Sequence, residues 1–135
     1  MLQHLLISVT LVSLLLTSCA TTGELCRPGE QRAIADLLYF GTAKPNGIVS
    51  NEDWSDFLAG VVTPRFPAGL TAWPASGQWQ SANGALTHEN AFVLNLVHPA
   101  DETSEAAIRS IVSEYKSRFQ QESVLRVKSF ACTSF

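Results

Sequence analysis

The sequence predicts a single α+β domain of the ferredoxin-like class: a four-stranded antiparallel sheet with two helices on one face. The length of 135 residues is room for one domain. Segments with strand-like and helix-like apolar patterns follow one another in the order β-α-β-β-α-β, which matches the split βαβ arrangement. A turn signal, Asn83-Gly84, joins the two middle strands into a hairpin.

The first half of this pattern consists of a strand, a turn and a helix. Residues 32–41 are apolar enough for a central strand, and the Lys-Pro-Asn-Gly sequence at 44–47 is typical of a turn. Ser50 is a suitable N-cap, and Pro64 ends the helix that follows. This helix has one complete apolar face, formed by Trp54, Phe57, Leu58, Val61 and Val62.

The middle of the chain predicts two neighbouring strands. Residues 70–80 form a strand that Pro74 and Gly77 confine to a sheet edge or a bulged segment. The next strand spans residues 86–98 and ends before Pro99.

A helix and a strand complete the pattern. Thr103 or Ser104 is expected to cap the second helix, and residues 122–132 form the last strand. The apolar side of this helix carries Ile108, Ile111, Val112, Tyr115 and Phe119.

Both predicted helices cover the same face of the sheet. The other face must meet a partner subunit, the chain termini or water. If Leu125 of the last strand points toward the helices, Tyr39, Asn95, Arg126 and Lys128 share the uncovered face and form a candidate pocket there. A slip of one residue would send each of them to the opposite side.

The N-terminus resembles the signal peptide of a bacterial lipoprotein. The apolar run over residues 5–16 has the length of a signal-peptide core and is short for a membrane span. The Leu-Thr-Ser-Cys sequence ending at Cys19 is similar to a lipobox, which implies that Cys19 carries lipid such as palmitate. Residues 1–18 are then the signal peptide, 19–31 a tether and 32–135 the domain.

Two features near the cleavage position bear on export. The segment before the apolar run has no Lys or Arg, so an ordinary secretory signal or a short anchor helix is the alternative. Ala20, not Asp, follows Cys19, which resembles the pattern for passage to the outer membrane. We therefore expect a domain that is lipid-anchored in the bacterial cell envelope, at the outer membrane and facing the periplasm.

Charge and cysteine content fit an exported protein. The net charge is −3 and there is no basic run, which argues against a nucleic-acid partner. If Cys19 carries the lipid, Cys26 and Cys132 are the two cysteines left. An even pair in an oxidising compartment predicts one disulfide. Two free thiols are the alternative.

Several short segments are distinctive. They are Tyr-Phe-Gly at 39–41, Val-Thr-Pro-Arg-Phe-Pro at 62–67, Gly-Gln-Trp at 77–79, the helix around Trp54 and the segment 115–125. Together they resemble a family of small exported bacterial proteins that is catalogued only as a domain of unknown function. The resemblance spans nearly all of the chain after the signal, and it implies export and one α+β domain. It implies no reaction, ligand or site.

Arg65 is the first candidate ligand-binding residue. It lies between Pro64 and Pro67, and rigid flanks would orient its guanidinium toward a carboxylate or phosphate. The alternative is an internal role, as a cap of the preceding helix or in an ion pair with Glu122 or Glu89.

Trp73 and Trp79 are the second candidates. Their spacing of six along one strand would place them on one face, where they could stack on an apolar or sugar-like ligand. The alternative is that they close the core or a dimer seam.

No catalytic or metal-binding pattern is present. His88, Glu89 and His98 are the only cluster of metal-ligand types, and neighbours on a strand point to opposite faces. Their spacing matches no metal site. There is no Gly-x-Ser-x-Gly, Cys/His dyad or phosphate loop, so we expect no metal and no cofactor, and we assign no catalytic residue.

These observations lead to three functional hypotheses. The first is a membrane-tethered binding or interaction module that uses the uncovered face, with a homodimer or another envelope protein as partner. The second is a small enzyme of the dimeric α+β barrel type, with a pocket containing Tyr39, Asn95 or Arg126. The third is a structural envelope protein with no ligand.

Overall fold

A computed structural model describes residues 26–80 and 83–135 of the chain. It has the predicted α+β architecture, with the two helical segments packed on one face of a four-stranded antiparallel sheet. The elements are β1 (Gln31–Gly41), β2 (Ala43–Lys44), β3 (Gly47–Ile48), α1 (Asn51–Phe57), a π-helical turn (Leu58–Val62), β4 (Thr71–Gln80), β5 (Leu86–His98), α2 (Glu102–Phe119) and β6 (Leu125–Thr133).

The order of strands in the sheet is β4-β5-β1-β6, and every neighbouring pair is antiparallel. This is the order expected of a ferredoxin-like domain: the two helix-bearing crossovers place β1 and β5 in the centre. The turn predicted at 44–47 joins β2 and β3 into a small hairpin, and Gly47 there has a φ of 126°, which glycine adopts without strain.

Both helices begin at side-chain caps. Ser50 is the cap of α1, as predicted, and it exchanges two hydrogen bonds of 3.0 Å with Asp53. The cap of α2 is Asp101, whose carboxylate accepts a hydrogen bond from the backbone of Ser104 at 2.7 Å. The predicted cap at Thr103 or Ser104 is therefore wrong, because an aspartate two residues earlier already satisfies the first free amide groups.

The core lies between the sheet and the helices and is rich in aromatic rings. Trp54 of α1 stacks on Phe92 of β5 with an interplanar angle of 3°. Tyr115 of α2 is fully buried against Phe40, and its hydroxyl donates a hydrogen bond to the Gly41 carbonyl at 2.9 Å. These contacts fix both helices over β1 and β5.

The predicted phase of β6 is wrong by one residue. Arg126 pairs with Leu38 and Lys128 with Asp36, both on the helix-covered side, so Leu125 points away from the helices. The cause is Asp36, which is buried in the middle of β1 and bonds to the Arg126 guanidinium. A buried carboxylate needs a cationic partner, and this requirement overrides the apolar alternation of β6.

The two ends of the domain are joined covalently. Cys26 and Cys132 form a disulfide, as predicted, so part of the expected tether is bound to β6. Within residues 26–80 and 83–135, no helix has both the length and the apolarity needed to cross a membrane. The signal peptide and the lipid site at Cys19 lie outside the described residues.

Candidate functional site

The central part of the sheet face that no helix covers is apolar and uncharged. This surface, called the open face below, carries Leu37, Tyr39, Trp73, Val97, Leu125 and Val127. The intervening positions of its central part carry only alanine, serine, threonine, valine and asparagine, and the first carboxylate is Glu89 at the rim.

Large apolar side chains on the open face are in contact with water. The exposed fractions are 61% for Leu125, 46% for Val127, 46% for Val97 and 40% for Trp73. A contiguous apolar surface of this kind usually marks an interaction site. The strand register creates it, because the phase that brings Arg126 to the buried Asp36 also turns the apolar residues of β6 outward.

A cleft of about 500 Å³ opens at one end of the open face, beside the C-terminus of the chain. Asn95 and Thr71 are paired across β4 and β5 and line this cleft together with Val97. Gly69 and Phe135 form part of its margin. The lining also includes Gln31, Thr133 and the cationic Arg32, so the cleft offers amide and hydroxyl groups beside one positive charge, which suits a small polar ligand.

A network of charged groups lies on the opposite, helix-covered side. The Asp36 carboxylate accepts hydrogen bonds from Arg126 Nε at 2.8 Å and from Arg126 Nη2 at 2.7 Å. It also lies 2.9 Å from His98 Nε2. Glu105 of α2 binds the other side of the same guanidinium and contacts Lys128 at 2.9 Å. The network thus joins β1, β5, β6 and α2.

The pKa values of the two carboxyl groups follow from this network. Burial raises the pKa of Asp36, but the hydrogen bonds from Arg126 and His98 together lower it by more. The pKa of Asp36 therefore lies below the ordinary value of an aspartate. Hydrogen bonds from Arg126 and Lys128 lower the pKa of Glu105 to about 2. Both carboxylates are therefore ionised at neutral pH.

His98 has no nitrogen available for catalysis. Its Nδ1 lies 2.8 Å from the Pro99 carbonyl, and a carbonyl only accepts, so Nδ1 carries a proton. Nε2 is held by Asp36, and the ring is 5% exposed. A general base must have a nitrogen that reaches the substrate. We therefore assign a structural role to the network of Asp36, His98, Arg126 and Glu105.

Arg65 is engaged within the protein. It donates hydrogen bonds to the Val61 carbonyl at 2.7 Å and to Ser110 at 3.2 Å, and it lies 3.4 Å from a carboxylate oxygen of Glu114. These contacts match the alternative of a helix cap with an internal ion pair. The partner predicted from sequence, Glu122 or Glu89, is wrong, because α2 presents Glu114 to the end of the π-helical turn.

The remaining candidates are divided between the two sides of the sheet. Tyr39 and Asn95 lie on the open face, as the prediction requires, and Trp73 lies there too. Arg126 does not, and placing it or Lys128 in an open-face pocket is wrong. The backbone of Trp79 pairs with Thr87, and its side chain lies outside the described part of the structure.

The cluster of metal-ligand types in the sequence is not assembled. His98 is bound to Asp36, and Glu89 accepts a hydrogen bond from the Ala43 backbone at 3.1 Å. Among the described residues, potential ligand atoms converge at Cys26, Glu30 and Cys132. The two sulfur atoms there are bonded to each other, so this group does not bind a metal in the oxidised protein.

Asp36 is the structurally important residue that sequence reasoning missed. It is the single acidic residue in the apolar strand Gln31–Gly41, and a carboxylate in a central strand requires a cation on a neighbouring strand. That signal would have selected Arg126 or Lys128 and reversed the phase of β6.

The chain belongs to the family described as "Protein of unknown function (DUF3574)", which matches residues 35–135. No curated protein matches the sequence. Among solved structures, it is similar to a phage SAM lyase in complex with S-methyl-5′-thioadenosine, with 15% identity, a TM-score of 0.57, and coverage of 84% of this chain and 95% of the other. A phage SAM lyase in the apo state is similar at 14% identity and a TM-score of 0.55, covering 79% and 91%. At these identities the likeness concerns the fold alone.

Proposed function

We propose that this member of the family is a binding module of the bacterial cell envelope, tethered through lipid at Cys19, that pairs with a second copy through its open face. The observation that carries the proposal is the uncharged, apolar and exposed surface formed by Trp73, Val97, Leu125 and Val127. The signal-like sequence before residue 19 supports the envelope location.

A second copy is the occupant that fits the charge of this surface. In a two-fold symmetric pair the same surface meets itself, so any cluster of charge would meet its own image. The central part of the open face has no charged side chain, whereas the helical side carries charged pairs such as Arg109 with Glu102. The open face can therefore pack against itself without like-charge repulsion.

The size of the open face is also adequate. Four strands about 4.8 Å apart, each about nine residues long, give a projected area of roughly 600 Å². Exposed side chains such as Trp73 and Leu125 stand above this plane and increase the accessible area. The total approaches the ~800 Å² per partner of a standard interface.

Pairing would also enclose the cleft at Asn95 and Thr71. A second sheet over the open face would separate the cleft from water. Hydrogen bonds from its amide and hydroxyl groups to a ligand would then be stronger, because the surroundings have a lower dielectric constant. We therefore assign a small polar ligand to this position, held between the two copies.

Sedimentation equilibrium of the full-length chain in density-matched detergent tests the pairing. We expect a reversible dimer, and Val127→Glu should weaken association by at least about 100-fold, since like-charge juxtaposition at an interface costs several kcal/mol. Phe130→Glu is the matched control, because Phe130 is 72% exposed on the same strand but pairs with Ile34 on the helix-covered side. A wild-type monomer, or equal effects of the two substitutions, would contradict the proposal.

A second candidate is an enzyme of the dimeric α+β barrel type. The observation in its favour is the similarity in fold to SAM lyase, one structure of which holds S-methyl-5′-thioadenosine. Tyr39 and Asn95 would line its pocket. Incubation with S-adenosylmethionine and mass-spectrometric detection of S-methyl-5′-thioadenosine tests this candidate. Product that forms with the wild type and not with Asn95→Leu supports it; absence of product excludes this reaction.

A further inference from the structure

Another cleft lies on the other side of the sheet. It has a volume of about 870 Å³ and opens between the β2–β3 hairpin, α1 and strand β4. The cleft exists because α1 packs over β5 and β1, through the contacts of Trp54 with Phe92 and Phe40. The adjoining residues of edge strand β4, Pro74 and Ser76, are left exposed.

The polar groups of this cleft are mainly hydroxyls and amides. They belong to Asn51 and Ser55 on α1, to Ser76 on β4 and to Asn90 on β5. Glu52 is the only charged residue in the lining, and no Lys, Arg or His is among the lining residues.

Three of these side chains have polar atoms with no partner in the described part of the protein. Asn51, Glu52 and Ser55 are exposed at the mouth of the cleft and make no side-chain hydrogen bond or ion pair to residues 26–80 or 83–135. Together they offer acceptors and donors to a ligand: a carboxylate accepts from two hydroxyl groups, and an amide both donates and accepts.

The floor of the cleft is apolar. Val49 and Phe92 are 2% and 6% exposed and form its base, and Pro74 lies beside them. Ile48, at 64% exposure, stands at the edge on strand β3. A ligand with C–H groups on one face and hydroxyl groups around its margin would match both parts of the lining.

The walls are held in place by hydrogen bonds. The Asn90 carbonyl accepts from the Thr42 backbone at 3.1 Å and from Thr42 Oγ1 at 2.8 Å. The Val49 backbone donates to the Thr42 carbonyl at 2.8 Å, so the hairpin is fixed to β5. Since the cleft is formed before a ligand arrives, binding would cost little ordering of the protein.

From this lining we infer that the cleft under the β2–β3 hairpin is a binding site for a neutral saccharide. A phosphate or carboxylate ligand would meet Glu52 and no cation, which is unfavourable. A purely apolar ligand would leave the hydroxyl and amide groups without partners. The cleft is separate from the open face, so this inference stands or falls independently of the pairing proposed above.

Saturation-transfer NMR and calorimetry of the full-length chain in detergent micelles test the inference. The probes are N-acetylglucosamine trimer, maltotriose and cellotriose, with inorganic phosphate as the charged comparison. We expect saturation transfer to at least one trisaccharide. Phosphate should not displace the bound sugar, whereas it would do so at a cationic site. Absence of saturation for all three sugars, or displacement of a bound sugar by phosphate, would overturn the inference.

Two substitutions that fill the cleft locate the site. Ser55→Trp on α1 and Ser76→Trp on β4 should each raise the Kd for the bound sugar at least tenfold, and using two elements guards against a folding defect in one variant. Asp56→Trp is the control: Asp56 is an exposed neighbour on α1 outside the lining, and its replacement should change the Kd less than twofold. Sugar binding that survives both filling substitutions places the sugar elsewhere and contradicts the inference.

Discussion

Replacement of Asp36 by asparagine tests the structural role of the charged network. Asp36 is completely buried, and its carboxylate is shared by Arg126 and His98. The substitution preserves size but removes the negative charge, so the Arg126 guanidinium loses this anionic partner and His98 loses the carboxylate beside its Nε2. Removing one partner of a buried ion pair typically costs about 3–5 kcal/mol.

The lower end of that range applies here. Arg126 keeps Glu105 as a second anion, and its guanidinium is about one-fifth exposed, so we expect a loss of about 3 kcal/mol in the free energy of unfolding. For a domain of about 110 residues the entropy of unfolding is roughly 230 cal/mol/K near 60 °C, so Tm should fall by roughly 13 °C.

Thermal and urea denaturation followed by circular dichroism measure this effect. The urea midpoint should fall while the slope of the transition stays the same, because the surface exposed on unfolding is unchanged. Asp56→Asn is the control: it makes the same chemical change at an exposed position and should stay within about 0.5 kcal/mol of wild type. A change at Asp36 no larger than the control would refute the assignment of the network as a main structural element.

Three further predictions concern the same fold. The folded-state pKa of Glu105 is lowered from 4.5 to about 2, so its ion pairs stabilise the protein above pH 4.5 and are lost as the pH falls toward 2. The difference in Tm between wild type and Glu105→Gln should therefore shrink over that pH range. A constant difference in Tm would contradict the ion pairs of Glu105. Tyr115→Phe should cost about 1–2 kcal/mol in urea denaturation, since the Gly41 carbonyl loses its hydrogen bond; no loss would show that water replaces the hydroxyl. Reduction of the bond between Cys26 and Cys132, which are 106 residues apart, should lower the free energy of unfolding by at most roughly 4–5 kcal/mol, and an unchanged urea midpoint after reduction would contradict that contribution.

Elements with strong local signals could be predicted from the sequence. The apolar face of the helix at Trp54, its cap at Ser50 and the apolar run of β5 each depend on neighbouring residues, and periodicity reveals them. The start of α2 is not predictable from local sequence, because Asp101, Thr103 and Ser104 are all suitable caps and nothing in the neighbouring residues ranks them.

Features that depend on distant pairs could not be predicted in the same way. The phase of β6 is set by Arg126 meeting Asp36, ninety positions earlier in the chain. Alternation within β6 alone favours the opposite phase, since it would bury Leu125. The same limitation hid Glu114 as the partner of Arg65, because the contact joins the end of the π-helical turn to the middle of α2.

This phase also decides the nature of the open face. With Arg126 turned inward, the uncovered side of β6 becomes apolar and the candidate site changes from a charged pocket to a docking surface. The sequence correctly indicated that one face lacks a covering element. Its chemical character became clear only from the pairing of strands.

Native mass spectrometry of the full-length chain released from detergent micelles tests the pairing of open faces most directly. The proposal predicts a dimer that carries additional small-molecule mass, and dissociation of that mass together with the dimer in Val127→Glu. A bare monomer at every concentration would contradict the pairing, and a dimer that persists in Val127→Glu would place the interface on another surface.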